Sequence, residues 1–200
     1  MPMASKGPVL LFRLVVLAAG LLPALWLAWR WEQDALGVVP EEAVVQLTGR
    51  IGLALLLATI AFSPAFRLTG WVGIMIARRQ MGLWAFAWLC AHALAWMGLE
   101  QYWAWDWIWH DMQDLPYVRY GVAGLLLLVP LALTSFRRVR TAMGERAWHW
   151  LHRLVYVSAA LGATHLWILT RADYRRPSLV VAVLAALVLF RLVDAALHRR

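Results

Sequence analysis

Six stretches of about 18–21 mostly apolar residues, each long enough to cross ~30 Å of hydrocarbon, set the terms for this chain. They lie at roughly 9–29, 47–66, 80–99, 117–136, 148–169 and 178–197. Of the 200 residues, 63% are hydrophobic and 15% charged, whereas a soluble domain is nearer half apolar and a quarter charged. The expectation is an all-α integral membrane protein, a six-helix transmembrane bundle. The connections are short, so residues 1–200 read as one domain, and no internal repeat stands out in the sequence. The first run is too long for the core of a signal peptide and lacks a small-residue cleavage site. Cys90 is the single cysteine, which excludes an intrachain disulfide and any cysteine-built zinc or iron–sulfur centre.

The net charge of +8 does not point to nucleic acid, because the arginines flank the spans, where they orient a membrane protein. Lys6, Arg13, Arg67, Arg78, Arg79, Arg137, Arg138, Arg140, Arg146, Arg153, Arg191, Arg199 and Arg200 fall on one side. The acids Glu32, Asp34, Glu41, Glu42, Glu100, Asp106, Asp111 and Asp114 fall on the other. The positive-inside rule then places both termini in the cytoplasm. Arg171, Arg175 and Arg176 run against this trend on the outer side, where they either ignore it or face an acidic patch on a partner. The connection WAWDWIWH, residues 103–110, holds four tryptophans and reads either as an interfacial anchor or as a docking surface.

Histidines are the unusual content of the spans. His92 lies in the third, and the stretch WHWLHRLVYVSAALGATHLW of the fifth carries His149, His152 and His165. Ionisable groups inside a membrane are costly and usually functional. His152 and His165 are 13 residues apart, which is ~20 Å along a helix and ~140° in azimuth on a straight one. They therefore cannot share one metal centre. His92 precedes Glu100 by eight residues and His165 precedes Arg171 by six, so the two share a depth in the outer leaflet. Zinc usually wants three or four ligands. A facing imidazole pair in an apolar slot between helices suits haem iron. Small neighbours, Ala91, Ala93, Gly162 and Ala163, suit a flat macrocycle and plain helix packing equally.

Span two begins LTGRIGLALLLAT, span three reads RRQMGLWAFAWLCAHAL, and span five is quoted above. With GLLPALWL in span one, these resemble the MsrQ (YedZ) family of the ferric-reductase-like transmembrane superfamily. The resemblance covers nearly the whole chain and rests on TGR, RR-x2-GLW and LH-x12-H. It implies a haem-binding subunit of the bacterial inner membrane that takes electrons from the quinone pool or a cytoplasmic flavin reductase. It implies that these pass through b-type haem to MsrP, a periplasmic molybdopterin-dependent partner in a heterodimer. That partner reduces methionine sulfoxide in oxidised periplasmic proteins. FMN binding is implied as well.

His92, His152 and His165 match the family's histidines. The wider superfamily has a further histidine near the inner end of span three, where this chain has Arg78 and Arg79. One haem is therefore expected at His92 and His165. The inner site, at His152 with His149 a turn away, is expected to take either a second haem with one protein ligand, or a flavin or quinone. Arg78 and Arg79 serve there as phosphate or propionate binders or as positive-inside anchors. Arg50, just inside span two, either meets a haem propionate or snorkels to the interface. No catalytic acid, base or nucleophile set is present in the spans, so the chain relays electrons and performs no bond-breaking step itself. The competing classes are another ferric-reductase-type cytochrome b, and a transporter or scaffold without redox chemistry.

Overall fold

The computed structural model describes residues 6–198, so Arg199 and Arg200 of the charge set expected on the cytoplasmic side lie outside the described residues. The described residues form nine α-helices: α1 (Lys6–Glu32), α2 (Pro40–Thr69), α3 (Val72–Ala95), α4 (Trp105–Asp114), α5 (Pro116–Leu133), α6 (Arg137–Met143), α7 (Glu145–Leu151), α8 (Leu154–Leu169) and α9 (Arg175–Leu197). A π-helical turn, Trp96–Glu100, extends α3. Five helices are long and apolar enough to cross a membrane: α1, α2, α3 with its π turn, α5 and α9. Their outward faces carry leucine, valine and tryptophan, such as Leu11, Leu22, Leu126, Leu189 and Leu192, all exposed. On a multi-pass membrane protein such a surface meets lipid.

The fifth expected span is interrupted. It begins within α7 and continues as α8, with a break at His152–Arg153. The ladder tightens there: Arg153 N–H bonds to Trp150 O and Tyr156 N–H to Arg153 O, one residue closer than in an α-helix. The straight-helix azimuth between His152 and His165 therefore does not apply, because His152 lies outside α8. The tryptophan-rich connection also differs from a plain loop. Most of it is α4, with Ile108 only 5% exposed and Trp105, Trp107 and Trp109 at 60–67%.

Backbone contacts divide the chain into two compact units, Met1–Ile108 and Trp109–Arg200. In the first, α2 and α3 pack antiparallel along their length, and α1 lies against α3. A two-residue connection, Gly70 and Trp71, reverses the chain between α2 and α3. Its pivot is Gly70, left-handed at φ 67°, whose N–H closes on Phe66 O at 2.8 Å. Two polar side chains of α3 fasten α1. Trp88 Nε1–H donates to Gly20 O at 2.9 Å, and Gln80 Nε2–H donates to Arg13 O at 3.1 Å. Gly20 is required at that contact, since a Cβ there would sit 2.2 Å from the Trp84 ring.

In the second unit, α5 and α8 form the main antiparallel pair and α9 packs on α8. Ser158, buried at 2% exposure, donates its hydroxyl to Gly124 O at 2.8 Å. At Gly124 an added Cβ would lie 3.3 Å from Ser158 O, and Gly162 N is next to it, so these glycines let the two backbones approach.

Gly20→Ala is expected to destabilise the first unit by about 1–3 kcal/mol, as overpacking does. Gly7→Ala, with nothing within 4 Å, should leave stability unchanged. Thermal midpoints of the two variants in detergent check this.

Candidate functional site

Each unit presents one imidazole from inside its main helix pair, and the two presentations match. In the first unit, His92 on α3 reaches across to α2, its Nδ1 2.9 Å from Val45 O. In the second, His165 on α8 reaches across to α5, its Nδ1 2.7 Å from Tyr117 O. A carbonyl only accepts, so each Nδ1 carries the proton and donates it. In that tautomer Nε2 holds the ring's lone pair, the arrangement found in metal-ligating histidines whose other nitrogen is fixed by a hydrogen bond. Both rings are half-buried.

A glycine follows each accepting carbonyl by one turn. Gly49 comes four residues after Val45, and Gly121 four residues after Tyr117. The carbonyl of residue i points along the helix toward residue i+4. A ring bonding to it from the side therefore lies over position i+4. A Cβ at Gly49 would be 3.0 Å from His92 Nδ1 and Cε1, and one at Gly121 would be 2.8 Å from His165 Nδ1. Three residues further on, Gly52 and Gly124 meet Leu89 and Ser158 of the facing helix, not the histidine. The carbonyls and glycines were not singled out in the sequence. Their visible trace is Gly-x2-Gly at 49/52 and 121/124, ahead of each span histidine.

His152 is held differently. Its Nε2 lies 3.1 Å from Thr134 Oγ1, and that hydroxyl's single proton goes to Pro130 O at 2.6 Å. Nε2 of His152 is therefore the donor, and the lone pair sits on Nδ1. The ring stacks on Trp148, with centroids 3.9 Å apart and planes 28° apart. Trp148 in turn donates Nε1–H to Thr134 O at 3.0 Å, and Arg140 caps its ring at 4.5 Å. Thr134 closes α5, so this cluster ties α5 to the broken segment carrying His152. His149 is exposed and meets the Trp148 ring edge-on, with centroids 5.1 Å apart.

The arginines distribute as follows. Arg50 is exposed beside Gly49 and donates to Gln46 Oε1, and Gln46 donates to Glu42 Oε1 at 2.6 Å, a ladder along the start of α2. Arg78, half-buried, and Arg79, exposed, lie on α3 at 14 and 13 residues before His92, ~20 Å away along the helix. Arg171 lies between α8 and α9, and Arg175 and Arg176 in the first turn of α9, all exposed. No acidic residue accompanies them in that turn. Cations at a helix N-terminus oppose the helix dipole; the acid beside them is Asp173, whose Oδ1 accepts from the backbone N–H of Arg175 at 3.1 Å. Among the described residues, no three His, Cys, Asp or Glu side chains gather as a metal cluster.

These features define a multi-pass helical membrane protein that offers single imidazoles from within helix pairs. Residues 48–163 match the family described as ferric reductase like transmembrane component. A protein of Rhodospirillum rubrum named protein-methionine-sulfoxide reductase heme-binding subunit MsrQ is 42% identical over 94% of this chain and 90% of its own length. Proteins of the same name from Caulobacter vibrioides and Deinococcus radiodurans are 39% and 37% identical, over 95% and 88% of this chain and 92% and 87% of theirs. The chain belongs to this ferric-reductase-like transmembrane family and, within it, to the MsrQ group.

Thr134→Val is expected to lower stability by about 1–3 kcal/mol, because it leaves His152 Nε2–H without its acceptor. Thr134→Ser, which keeps the hydroxyl, should stay near wild type. Thermal unfolding of the two variants in detergent distinguishes them.

Proposed function

We propose that the chain is the haem-binding electron-transfer subunit of a protein-methionine-sulfoxide reductase system, with His92 and His165 as axial ligands of b-type haem. The observation that carries this reading is the shared tautomer: each ring is fixed through Nδ1 to a helix carbonyl, which leaves Nε2 as the ligating atom. The relatives' description as haem-binding subunits supports the same cofactor. When bound, haem supplies reversible one-electron chemistry. The residues of this chain hold the ligands in orientation, keep the surroundings apolar and supply no general acid or base.

His152 belongs to the electron-entry side, with Arg78, Arg79 and His149 as candidates for binding phosphate, propionate or quinone groups. The occupant there is a second haem, FMN or a quinone. With Nε2 on Thr134, His152 offers Nδ1 to such a group, or offers Nε2 once Thr134 is released. The donor is the quinone pool or a cytoplasmic flavin reductase. Arg50, next to Gly49, is the candidate propionate partner on the outer side. The acceptor is a periplasmic molybdopterin-dependent catalytic subunit of the MsrP kind, which repairs oxidised periplasmic proteins. The protein lies in the bacterial inner membrane with both termini cytoplasmic. A ferric-reductase-type carrier with another acceptor is the second reading, favoured by the family match over residues 48–163.

Oxidised and dithionite-reduced spectra test the cofactor. Wild type should show b-type bands, and His92→Ala and His165→Ala should each abolish them or convert them to high spin. Bands retained by both variants, or a colourless wild type after haem supplementation, would refute the assignment. Reversing Arg171, Arg175 and Arg176 to Glu should slow electron delivery to the periplasmic subunit several-fold at low ionic strength, with the difference fading in ~0.5 M salt. Stopped-flow reoxidation of the membrane subunit by its partner reads this. Equal rates at all salt concentrations would remove these residues from docking.

A further inference from the structure

We propose that Val45 O with Gly49, and Tyr117 O with Gly121, are two matching cradles that set the ring orientation and donor strength of His92 and His165, and through each the redox potential of the haem it ligates. The inference rests on the haem reading above and deepens it. Four observations converge. The two Nδ1–H···O bonds, at 2.9 and 2.7 Å, use the same ring atom and the same kind of acceptor. Each acceptor belongs to the facing helix, 47 or 48 residues earlier in the chain. Each ring lies where the Cβ of the residue one turn beyond the acceptor would be, and that residue is glycine both times. The two units otherwise share little at these positions: VQLTG in one and YVRYG in the other. A repeated geometry without a repeated sequence points to a requirement of the ring.

The chemistry follows from the bond. An Nδ1–H that donates to a carbonyl gives the ring partial imidazolate character, which makes Nε2 a stronger donor to iron. A stronger donor favours the ferric over the ferrous state and lowers the midpoint potential. The glycine permits the bond, because any Cβ would press the ring away from the carbonyl. The Gly121 seat is the tighter of the two, at 2.8 Å against 3.0 Å. Substitution at Gly121 should therefore disturb its histidine more than substitution at Gly49. Gly49 and Gly121 are positioning residues that act through the histidines.

The test compares glycines that seat the ring with glycines that only seat the facing helix. In haem-loaded protein that already shows the wild-type b-type spectrum, Gly121→Ala is expected to raise the midpoint potential and shift the low-spin electron paramagnetic resonance signal. Gly49→Ala should do so less. Gly124→Ala and Gly52→Ala crowd the same helix pairs at Ser158 and Leu89 without touching a ring, and should leave potential and signal in place. Equal shifts in Gly121→Ala and Gly124→Ala, or no shift in either seat variant, would overturn the proposal while leaving the haem assignment standing.

A second measurement does not depend on how Gly121→Ala folds. His165→Gly opens the ligand position to added imidazole, which can both ligate and donate N–H to Tyr117 O, and to 1-methylimidazole, which can only ligate. Imidazole should restore the low-spin spectrum at about tenfold lower concentration and at a lower potential than the methylated ligand. Indistinguishable rescue by the two would show that the carbonyl has no part in setting the ligand. Failure of the haem reading appears separately, as the absence of a b-type spectrum in wild type.

Discussion

Hydrocarbon offers no hydrogen bonds, so every polar group that a transmembrane helix carries inward must find its partner within the protein. Helical backbones already pair their own N–H and C=O groups. What remains is the second lone pair of each carbonyl, and this chain uses it repeatedly. Thr48 bonds to Val44 O, Thr59 to Leu55 O, Thr164 to Ala160 O and Thr170 to Leu166 O. Where the donor reaches across to another helix, the same bond becomes a fastening. Trp88 reaches Gly20 O, Ser158 reaches Gly124 O, and Trp148 reaches Thr134 O. His92 and His165 belong to this set. A neutral imidazole in a span satisfies its one N–H at a helix carbonyl, and the price of doing so is a missing side chain one turn further along.

That economy separates the span histidines by role. A ring that donates through Nδ1 carries its lone pair on Nε2, the atom the haem proposal uses, and this describes His92 and His165. A ring bonded through Nε2 to a hydroxyl, stacked on an indole and placed at a helix break is held as part of a structural junction, and this describes His152. The junction has consequences for motion as well. α8 is 16 residues long, and its inner end is joined to α7 by tightened turns and side-chain contacts to Thr134. A group bound beside His152 competes with those contacts. On the proposed function, an occupant beside His152 would be coupled to the geometry of the α5–α7 corner.

Much of the architecture was legible in the sequence, because its driving pattern is crude. Runs of apolar residues matching the hydrocarbon thickness marked α1, α2, α3, α5 and α9, but the helices start earlier than the expected spans, by seven residues at Pro40, eight at Val72, one at Pro116 and three at Arg175. The break at His152 was not legible. Trp148–Leu169 is mostly apolar, and no glycine or proline marks Leu151–Leu154. The interruption depends instead on tertiary partners on α5. The amphipathic helix α4 was concealed for a related reason: alternating tryptophans suggest an extended segment, yet a single buried Ile108 suffices to seat a helix. At the site, imidazoles are rare enough in spans to be conspicuous, whereas backbone acceptors have no residue type. Only the glycines leave a trace, and glycine in a span has many other causes.

The matched cradles bear on how such a protein tolerates sequence change. Val45 and Tyr117 both accept through the backbone, and their side chains differ: Tyr117 also sets its ring edge-on to His165 at 5.8 Å between centroids. Gly49 and Gly121 contribute through what they lack, so no substitution is neutral there. In the proposed haem site, His92 and His165 would contribute through both ring nitrogens, Nδ1 for position and Nε2 for ligation. Exchange for another ligating residue would keep at most one of these functions. Methionine, for example, could bind iron through sulfur but has no N–H for the carbonyl. The constraint on each ligand is thus spread over three residues on two helices, of which only the histidine announces its chemistry.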